Sequence, residues 1–306
     1  MPITIPDALP AQQVLESENI FVMTEYRAVH QDIRPLNVLI LNLMPTKEVT
    51  ETQLLRKLSN TPLQVQVEFL QTSSYTSTHT AKSHLDKFYY TFDQIRDNRY
   101  DGMIITGAPL DYVAYEDVAY WKEICEIMEW TKTHVHCTFH LCWGAYAGFY
   151  YHYGIKKFDL PKKMFGVLEH KLLMPEVPLF RGFNDTFLAP QSRATEVSLA
   201  DCLACEKLEV LATTADGSPT ICKSKDNRQF FVTCHMEYDR DTLKLEYLRD
   251  AAKGLTSVDL PVNYFPDDDP SKEPAVTWRA HGQLLYTNWL NYYVYQSTPY
   301  NRRAIH

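Results

Sequence analysis

Val135-His-Cys-Thr-Phe-His-Leu-Cys-Trp-Gly-Ala-Tyr-Ala-Gly148 is the stretch from which the rest of the chain is read. Up to Leu141 it is an apolar run of alternating character, the pattern of a buried strand. At Cys142 the character changes to small and aromatic residues, Trp143, Gly144, Ala145, Ala147 and Gly148, and a helix-like segment follows. A strand that ends in a lone Cys with small residues behind it has the form of a nucleophile elbow. The tight turn lifts the sulfur off the sheet, and small neighbours let the helix start pass close to the strand. Free N–H groups at the helix N-terminus then favour a thiolate and an oxyanion beside it. Cysteine is also among the most buried residue types, so a packing role for Cys142 stands beside the catalytic one until a second stretch is weighed.

That stretch is Gln229-Phe-Phe-Val-Thr-Cys-His-Met-Glu-Tyr-Asp239. Its apolar start reads as another buried strand, and His235 and Glu237 follow at its end. Residues i and i+2 of an extended chain point to the same side. A carboxylate at 237 can therefore fix one imidazole nitrogen and leave the other free to take a proton from a thiol, the logic of a nucleophile, base and orienting acid.

The 306 residues are 45% hydrophobic and 22% charged, ordinary globular values, and the formal charge of −8 argues against a broad nucleic-acid footprint. No apolar run approaches the roughly 20 residues of a membrane helix. The start, Met1-Pro-Ile-Thr-Ile-Pro, lacks the regions of a signal peptide. Seven cysteines without framework spacing point to a reduced, cytoplasmic compartment. Cys202-x-x-Cys205 has metal or redox spacing but no second pair, and it follows Ser198-Leu-Ala-Asp201, which reads as a helix start. No metal site is expected.

In chain order, residues 1–34 read as irregular with a short helix at 11–18. Strands are expected at 36–44, 63–70 and 100–107, and helices at 48–59, at 83–99 capped by Ser83, and at 117–133, before the strand into Cys142. Strand–helix alternation with continuous apolar strands implies an α/β fold with a mostly parallel sheet flanked by helices. Ligands of such sheets lie beyond the carboxyl ends of the strands, where Lys47, residues 107–111 and Cys142 all fall. Past the elbow come a Pro/Lys loop at 156–163 and strands at 165–173, 187–190 and 208–213 of antiparallel character. Residues 230–234 rejoin the sheet, 241–253 form a helix bearing Glu246 and Arg249, and 261–273 form a Pro/Asp loop. The aromatic stretch 280–295 is expected to pack back or to meet a second subunit.

Several motifs occur in order over nearly the whole chain: Leu41-Asn-Leu-Met-Pro-Thr-Lys47, Asp101-Gly-Met-Ile-Ile-Thr-Gly-Ala-Pro109, His140-Leu-Cys-Trp-Gly-Ala145, Met164-Phe-Gly-Val167, Ser192-Arg-Ala-Thr-Glu-Val197, His235-Met-Glu-Tyr-Asp239 and Asn288-Trp-Leu-Asn-Tyr-Tyr-Val-Tyr-Gln296. With them the sequence resembles the homoserine O-acyltransferases of methionine biosynthesis, a succinyl/acetyl family built on a flavodoxin-like, class I glutamine-amidotransferase-like domain. The resemblance implies one acyltransferase domain over 1–306, with a core of about 35–255 and packed extensions at 1–34 and 256–306. It implies a cytoplasmic homodimer with acetyl-CoA as co-substrate and no bound cofactor. Cys142 would carry the acyl group as a thioester, with His235 as base, Glu237 as its partner, and Lys47 beside the Trp143 N–H at the oxyanion. Lys163, Ser192 and Arg249 would hold the amino-acid acceptor, Arg249 by pairing with its carboxylate. Alone, a Lys or Arg in those places is usually a solvated surface charge.

The sequence departs from the family pattern at Tyr146 (usually Gln), Ala194 (usually His), Cys234 and Met236 (usually Gly and Pro), and 77–80 (usually Ser-Lys-Asn-Thr). These changes leave L-serine open as acceptor beside L-homoserine. At position 111 the family's Gly goes with succinyl transfer and its Glu with acetyl transfer; here it is Asp111. Two like charges ~5 Å apart at an effective dielectric of ~20 repel by about 3 kcal/mol, so Asp111 is expected to disfavour succinyl-CoA. A glutaminase or amidase on the same Cys-His-Glu scaffold, or a binding protein that kept the fold, are the competing classes. An amidase has no need of a pocket for a second amino acid, and an intact triad argues against a mere binding role.

Overall fold

The computed structural model describes residues 3–18, 22–25, 35–74, 80–252, 259–299 and 301–305. Among them, one mixed sheet runs through the molecule. Its parallel part begins at an edge with β2 (Val22–Thr24) and β1 (Ile3–Ile5). It continues through β4 (Val65–Leu70), β3 (Leu36–Leu41), β6 (Tyr100–Ile105), β7 (Val135–Leu141) and β12 (Gln229–Val232), with β5 (Tyr89–Tyr90) paired to β4. Antiparallel strands follow: β11 (Pro219–Ser224), β10 (Leu208–Thr214), β8 (Lys157–Leu172) and β9 (Thr186–Val197). The helices are α1 (Ala11–Ser17), α2 (Lys47–Leu58), α3 (Lys82–Phe88), α4 (Phe92–Ile95), α5 (Trp121–His134), α6 (Trp143–Tyr153), α7 (Leu199–Ala204), α8 (Thr242–Ala252) and α9 (Arg279–Asn288).

The continuous apolar runs of the central strands are explained by two cores, one on each face. Along a strand successive side chains point to opposite faces. Val38 and Ile40 of β3 face one core with Leu54, Leu55 and Leu58 of α2. Leu39 and Leu41 face the other with Ile124, Ile127 and Met128 of α5 and Ala145 and Phe149 of α6. A strand covered by helices on both sides needs apolar residues at every position.

The aromatic C-terminal stretch packs back on this sheet. Helix α9 runs into a π-helical segment, Trp289–Tyr295. The Trp289 ring lies 5.2 Å from that of Phe139 in β7, and its indole N–H donates to the Cys137 sulfur at 3.1 Å. Gly102 makes room for it, since a Cβ there would stand 3.0 Å from the Trp289 ring.

Five expectations are corrected. The helix expected over 83–99 is broken: α3 starts after Ala81, with no cap from Ser83, and ends where Tyr89 and Tyr90 add to β4. Aromatic residues favour that extended state, and Tyr89 is fixed by accepting from the Asn42 amide at 2.9 Å and donating to Glu51 at 2.6 Å. The expected loop at 156–163 belongs largely to β8, whose register against β9 breaks only between Asp159 and Met164, around Pro161, which cannot donate to a ladder. Strand β11 was hidden by its leading Pro219, a residue tolerated at a strand's first position. Finally, residues 3–5 and 22–24, read as irregular, form edge strands. The helix expected from 117 begins at Trp121, after a 3₁₀ turn at Tyr115–Asp117.

Candidate active site

The parallel register brings the two decisive stretches together. Leu141 of β7 pairs with Val232 of β12, and the Cys142 N–H donates to the Val232 carbonyl at 2.8 Å. Cys142 is therefore one residue past its strand end and His235 three past the adjacent one. Cys142 has φ 48° and ψ −117°, a backbone state costly for a residue with a Cβ and typical of functional turns. The glycine beyond it is required by contact: a Cβ on Gly144 would stand 2.6 Å from the Thr106 carbonyl oxygen and 2.8 Å from that of Ile105. The chain after β6 lies against the nucleophile, a Cβ on Gly107 falling 3.1 Å from Cys142 Cβ and 3.6 Å from its sulfur. Trp143 opens α6, so its N–H has no partner within the helix.

His235 Nδ1 is 2.7 Å from Glu237 Oε1, both residues are buried, and the ring lies close enough to the Cys142 sulfur to feel its charge. Burial alone would lower the imidazole pKa. The charge of the neighbouring Cys142 sulfur, and next that of Glu237, outweigh burial and hold it well above the usual histidine range. The ring stacks on Tyr238 with centroids 4.1 Å apart, and the His235 N–H is anchored to the Pro190 carbonyl at 2.8 Å. Glu237 Oε2 is buried with no hydrogen-bond partner among the described residues; the Tyr286 hydroxyl faces Glu237 without ordinary hydrogen-bond geometry.

Lys47 is buried at the start of α2. Its ammonium donates to the Asn42 carbonyl and lies 5.5 Å from the centre of the Tyr89 ring. Burial, opposed only in part by Glu51, pulls its pKa down to about 8, so it is still mostly charged at neutral pH. It lines a cavity of about 320 Å³ with Met44, Pro109, Leu110 and Tyr120, between the ends of β3 and β6.

Lys163, Ser192 and Arg249 gather around α8. The Ser192 hydroxyl donates to Glu246 Oε2, and Lys163 Nζ is 3.8 Å from Glu246 and 3.5 Å from Asp250. Arg249 Nε is 2.9 Å from Asp250. The Tyr238 hydroxyl donates to Glu246 Oε1 at 3.0 Å, so one tyrosine touches both His235 and this cluster. Lys163 reaches it from the register break in β8. Glu246, Asp250 and Tyr238 were not among the expected site residues, although 246, 249 and 250 have the spacing of one helix face.

Asp111 follows β6. Its Oδ1 accepts from the Ala194 N–H at 3.4 Å, and Lys157 donates to the carbonyls of Leu110, Asp111 and Val113. Among the departures from the family pattern, Tyr146 is buried near Arg193, Cys142 and Thr233, and its hydroxyl makes no hydrogen bond of ordinary geometry. Arg193 is fully buried and held by Gln191, Thr195, Glu196 and Met164. Positions 77–79 lie outside the described residues. Ser198 caps α7 as expected, and Cys202 there lies against Cys222.

A thiol, an imidazole and a carboxylate in sequence, beside helix N–H groups, are equipped for acyl transfer through the sulfur. A model of the homoserine O-succinyltransferase family matches residues 2–300. The chain is 57% identical over 300 residues to a Lachnoclostridium phytofermentans protein named homoserine O-acetyltransferase, covering 98% of this chain and 99% of that one. It is 54% identical over 301 residues to one of the same name from Acetivibrio thermocellus, covering 98% of each. Among solved structures, a glutamine amidotransferase from Thermotoga maritima aligns with a TM-score of 0.56 at 12% identity, over 84% of this chain and 98% of that one. One from Methylobacillus flagellatus aligns with 0.52 at 12%, over 85% and 95%. At that identity the likeness speaks for the fold alone.

Proposed function

The chain belongs to the homoserine O-succinyltransferase family, and from that premise we propose that it moves an acetyl group from acetyl-CoA to the hydroxyl of L-homoserine through a thioester on Cys142. The observation that carries this reading is His235, hydrogen-bonded to Glu237, set beside the Cys142 sulfur at adjacent strand ends and joined through Tyr238 to a cluster suited to an amino acid.

Cys142 gives its thiol proton to His235 and becomes the nucleophile. The sulfur attacks the thioester carbonyl, and the oxyanion forms at the Trp143 N–H, with the Lys47 ammonium as a charged donor on the same side. One such donor stabilises a transition state by about 3–4 kcal/mol. As the carbon–sulfur bond to CoA breaks, the leaving thiolate takes the proton of His235. The acyl-enzyme then has a neutral sulfur, so the main support of the imidazole's raised pKa is gone. The ring becomes a base fit to take the proton of the acceptor hydroxyl. The alkoxide attacks the Cys142 thioester, the ester leaves, and the thiolate–imidazolium pair is restored.

Arg249 and Lys163 bind the acceptor carboxylate, exchanging their present partners Asp250 and Glu246, and Ser192 orients it. Asp111 sets donor choice against succinyl. The family name and the names of the relatives differ on the donor, and the carboxylate at 111 favours acetyl. We also read the protein as a cytoplasmic homodimer. No described helix is long and apolar enough to cross a membrane, and Leu245 and Leu248 expose an apolar pair on α8 that a second copy would cover. Sedimentation at micromolar concentration tests that, a monomer overturning it. For the activity, release of free CoA from acetyl-CoA is measured with homoserine, with serine and with neither. Release that does not depend on an amino acid would favour a hydrolase instead.

A further inference from the structure

Lys57 lies in the last turn of α2, only 5% exposed. It lines a cleft of about 1290 Å³ together with Glu237, Asp239, Arg56 and Arg279. Its ammonium stands 3.1 Å from where a Cβ on Gly282 would be, and that point is 2.5 Å from the Met236 carbonyl oxygen. A glycine in α9 thus leaves room for a cation beside the residue that joins His235 to Glu237. Glu237 gives Oε1 to His235, while Oε2 is buried and, among the described residues, without a hydrogen-bond partner. A buried carboxylate with an idle oxygen is costly unless a cation lies close.

The charged groups facing Lys57 are Glu237, Arg56, Arg279 and Asp239. Arg56 takes Asp239 at 2.5 Å and Glu18 besides, so Glu237 is the carboxylate left to Lys57. Facing Glu237 from its other sides are His235, Tyr286 and the Cys234 thiol, none of which is a fixed cation.

We propose that Lys57 is a positioning residue for the triad: its buried ammonium keeps the Glu237 carboxylate seated against His235. The proposal rests on Glu237 being the partner of His235 in catalysis. Without the cation, the carboxylate is free to leave the imidazole, and a buried positive charge that opposes protonation nearby is lost. Burial also pulls the Lys57 pKa down to about 8, so the ammonium remains charged over the acid range where it is needed.

The test measures kcat and KM for both substrates from pH 6 to 9 in Lys57→Met, Lys57→Arg, Glu237→Gln and the Lys57→Met/Glu237→Gln double variant. Lys57→Met should lower kcat on the order of tenfold near pH 7 with KM nearly unchanged, and move the acid limb to higher pH. Lys57→Arg should keep the acid limb where it is in the wild type. In the Glu237→Gln background Lys57→Met should add less than about twofold, because the group it acts through is gone. An acid limb that does not move, or a full additional loss in the Glu237→Gln background, overturns the proposal. Should Lys57→Met not fold, Lys57→Gln is judged by the same two readouts. A Glu237→Gln enzyme as active as wild type would instead sink the triad reading itself.

Discussion

Cys142 and His235 are held by backbone, whereas Lys163, Ser192 and Arg249 are held by the side chains of Glu246 and Asp250. At the β7–β12 junction the nucleophile is tied through its own N–H to Val232 and the base through its N–H to Pro190. Glycines at 107 and 144 leave no slack around the elbow. Around α8 the side chains are partly exposed and already paired with Glu246 and Asp250. The covalent centre is thus pre-organised before any substrate arrives, and the acceptor pocket must exchange partners to bind. A single substitution retunes the second region far more readily than the first, which is where a changed acceptor preference would be written.

Replacing the nucleophile should separate the regions most sharply. Cys142→Ser is expected to lose about 10³-fold or more in turnover. Mass spectrometry should find one acetyl group on the Cys142 peptide of the wild type after acetyl-CoA alone, and none on the variant. Near-normal turnover in the variant would end the case for a covalent relay.

Arg249→Ala should raise the acceptor KM by roughly 10- to 100-fold, the loss of a charged partner of about 1.5–3 kcal/mol. The acetyl-CoA half-reaction, followed by stopped-flow CoA release, should change less than about twofold. An equal loss in both would mean that the two regions are not separable. Competition kinetics should favour homoserine over serine, and a tenfold preference for serine would reverse the assignment.

Asp111→Gly should raise kcat/KM for succinyl-CoA relative to acetyl-CoA by about tenfold. The full ~3 kcal/mol of like-charge repulsion corresponds to about a hundredfold, but Lys157 beside Asp111 offsets part of it. The ratio is measured in both enzymes at one ionic strength, and an unchanged ratio would place the donor's far end elsewhere.

The smallest effect is a split in pH dependence. In the free enzyme the Cys142 charge helps hold His235 well above its usual pKa. The imidazolium that protonates departing CoA therefore persists as pH rises, and the alkaline limb of kcat/KM for acetyl-CoA should mark its loss. In the acyl-enzyme that charge is absent, the imidazole pKa is lower, and kcat/KM for homoserine should fall on the acid side. The two limbs should lie apart by at least about one pH unit, and coincident limbs would argue against charge on the sulfur as the cause.

Local pattern made the elbow legible, because a strand that ends in Cys with Gly144 two residues on leaves few ways to turn. The His-x-Glu pair was legible for the same reason, since extended geometry puts 235 and 237 on one side. The break at Tyr89–Tyr90 was not, because it depends on partners at Asn42, Glu51 and Phe69 that lie far away in sequence. Lys163 was read as loop-borne, and it does project from irregular backbone, but that irregularity is a register break inside a long hairpin.

What the sequence determined by itself was the set of reactive groups and the strand–helix order that sends them to one edge of a sheet, since periodicity and turn chemistry act over a few residues. What only the tertiary structure decided was which charges meet. Glu246 with Lys163 and Ser192, and Tyr238 with both His235 and Glu246, are pairings across β8, β9 and α8. Coulomb and hydrogen-bond forces depend on distance in space, and only packing of the two cores sets that distance.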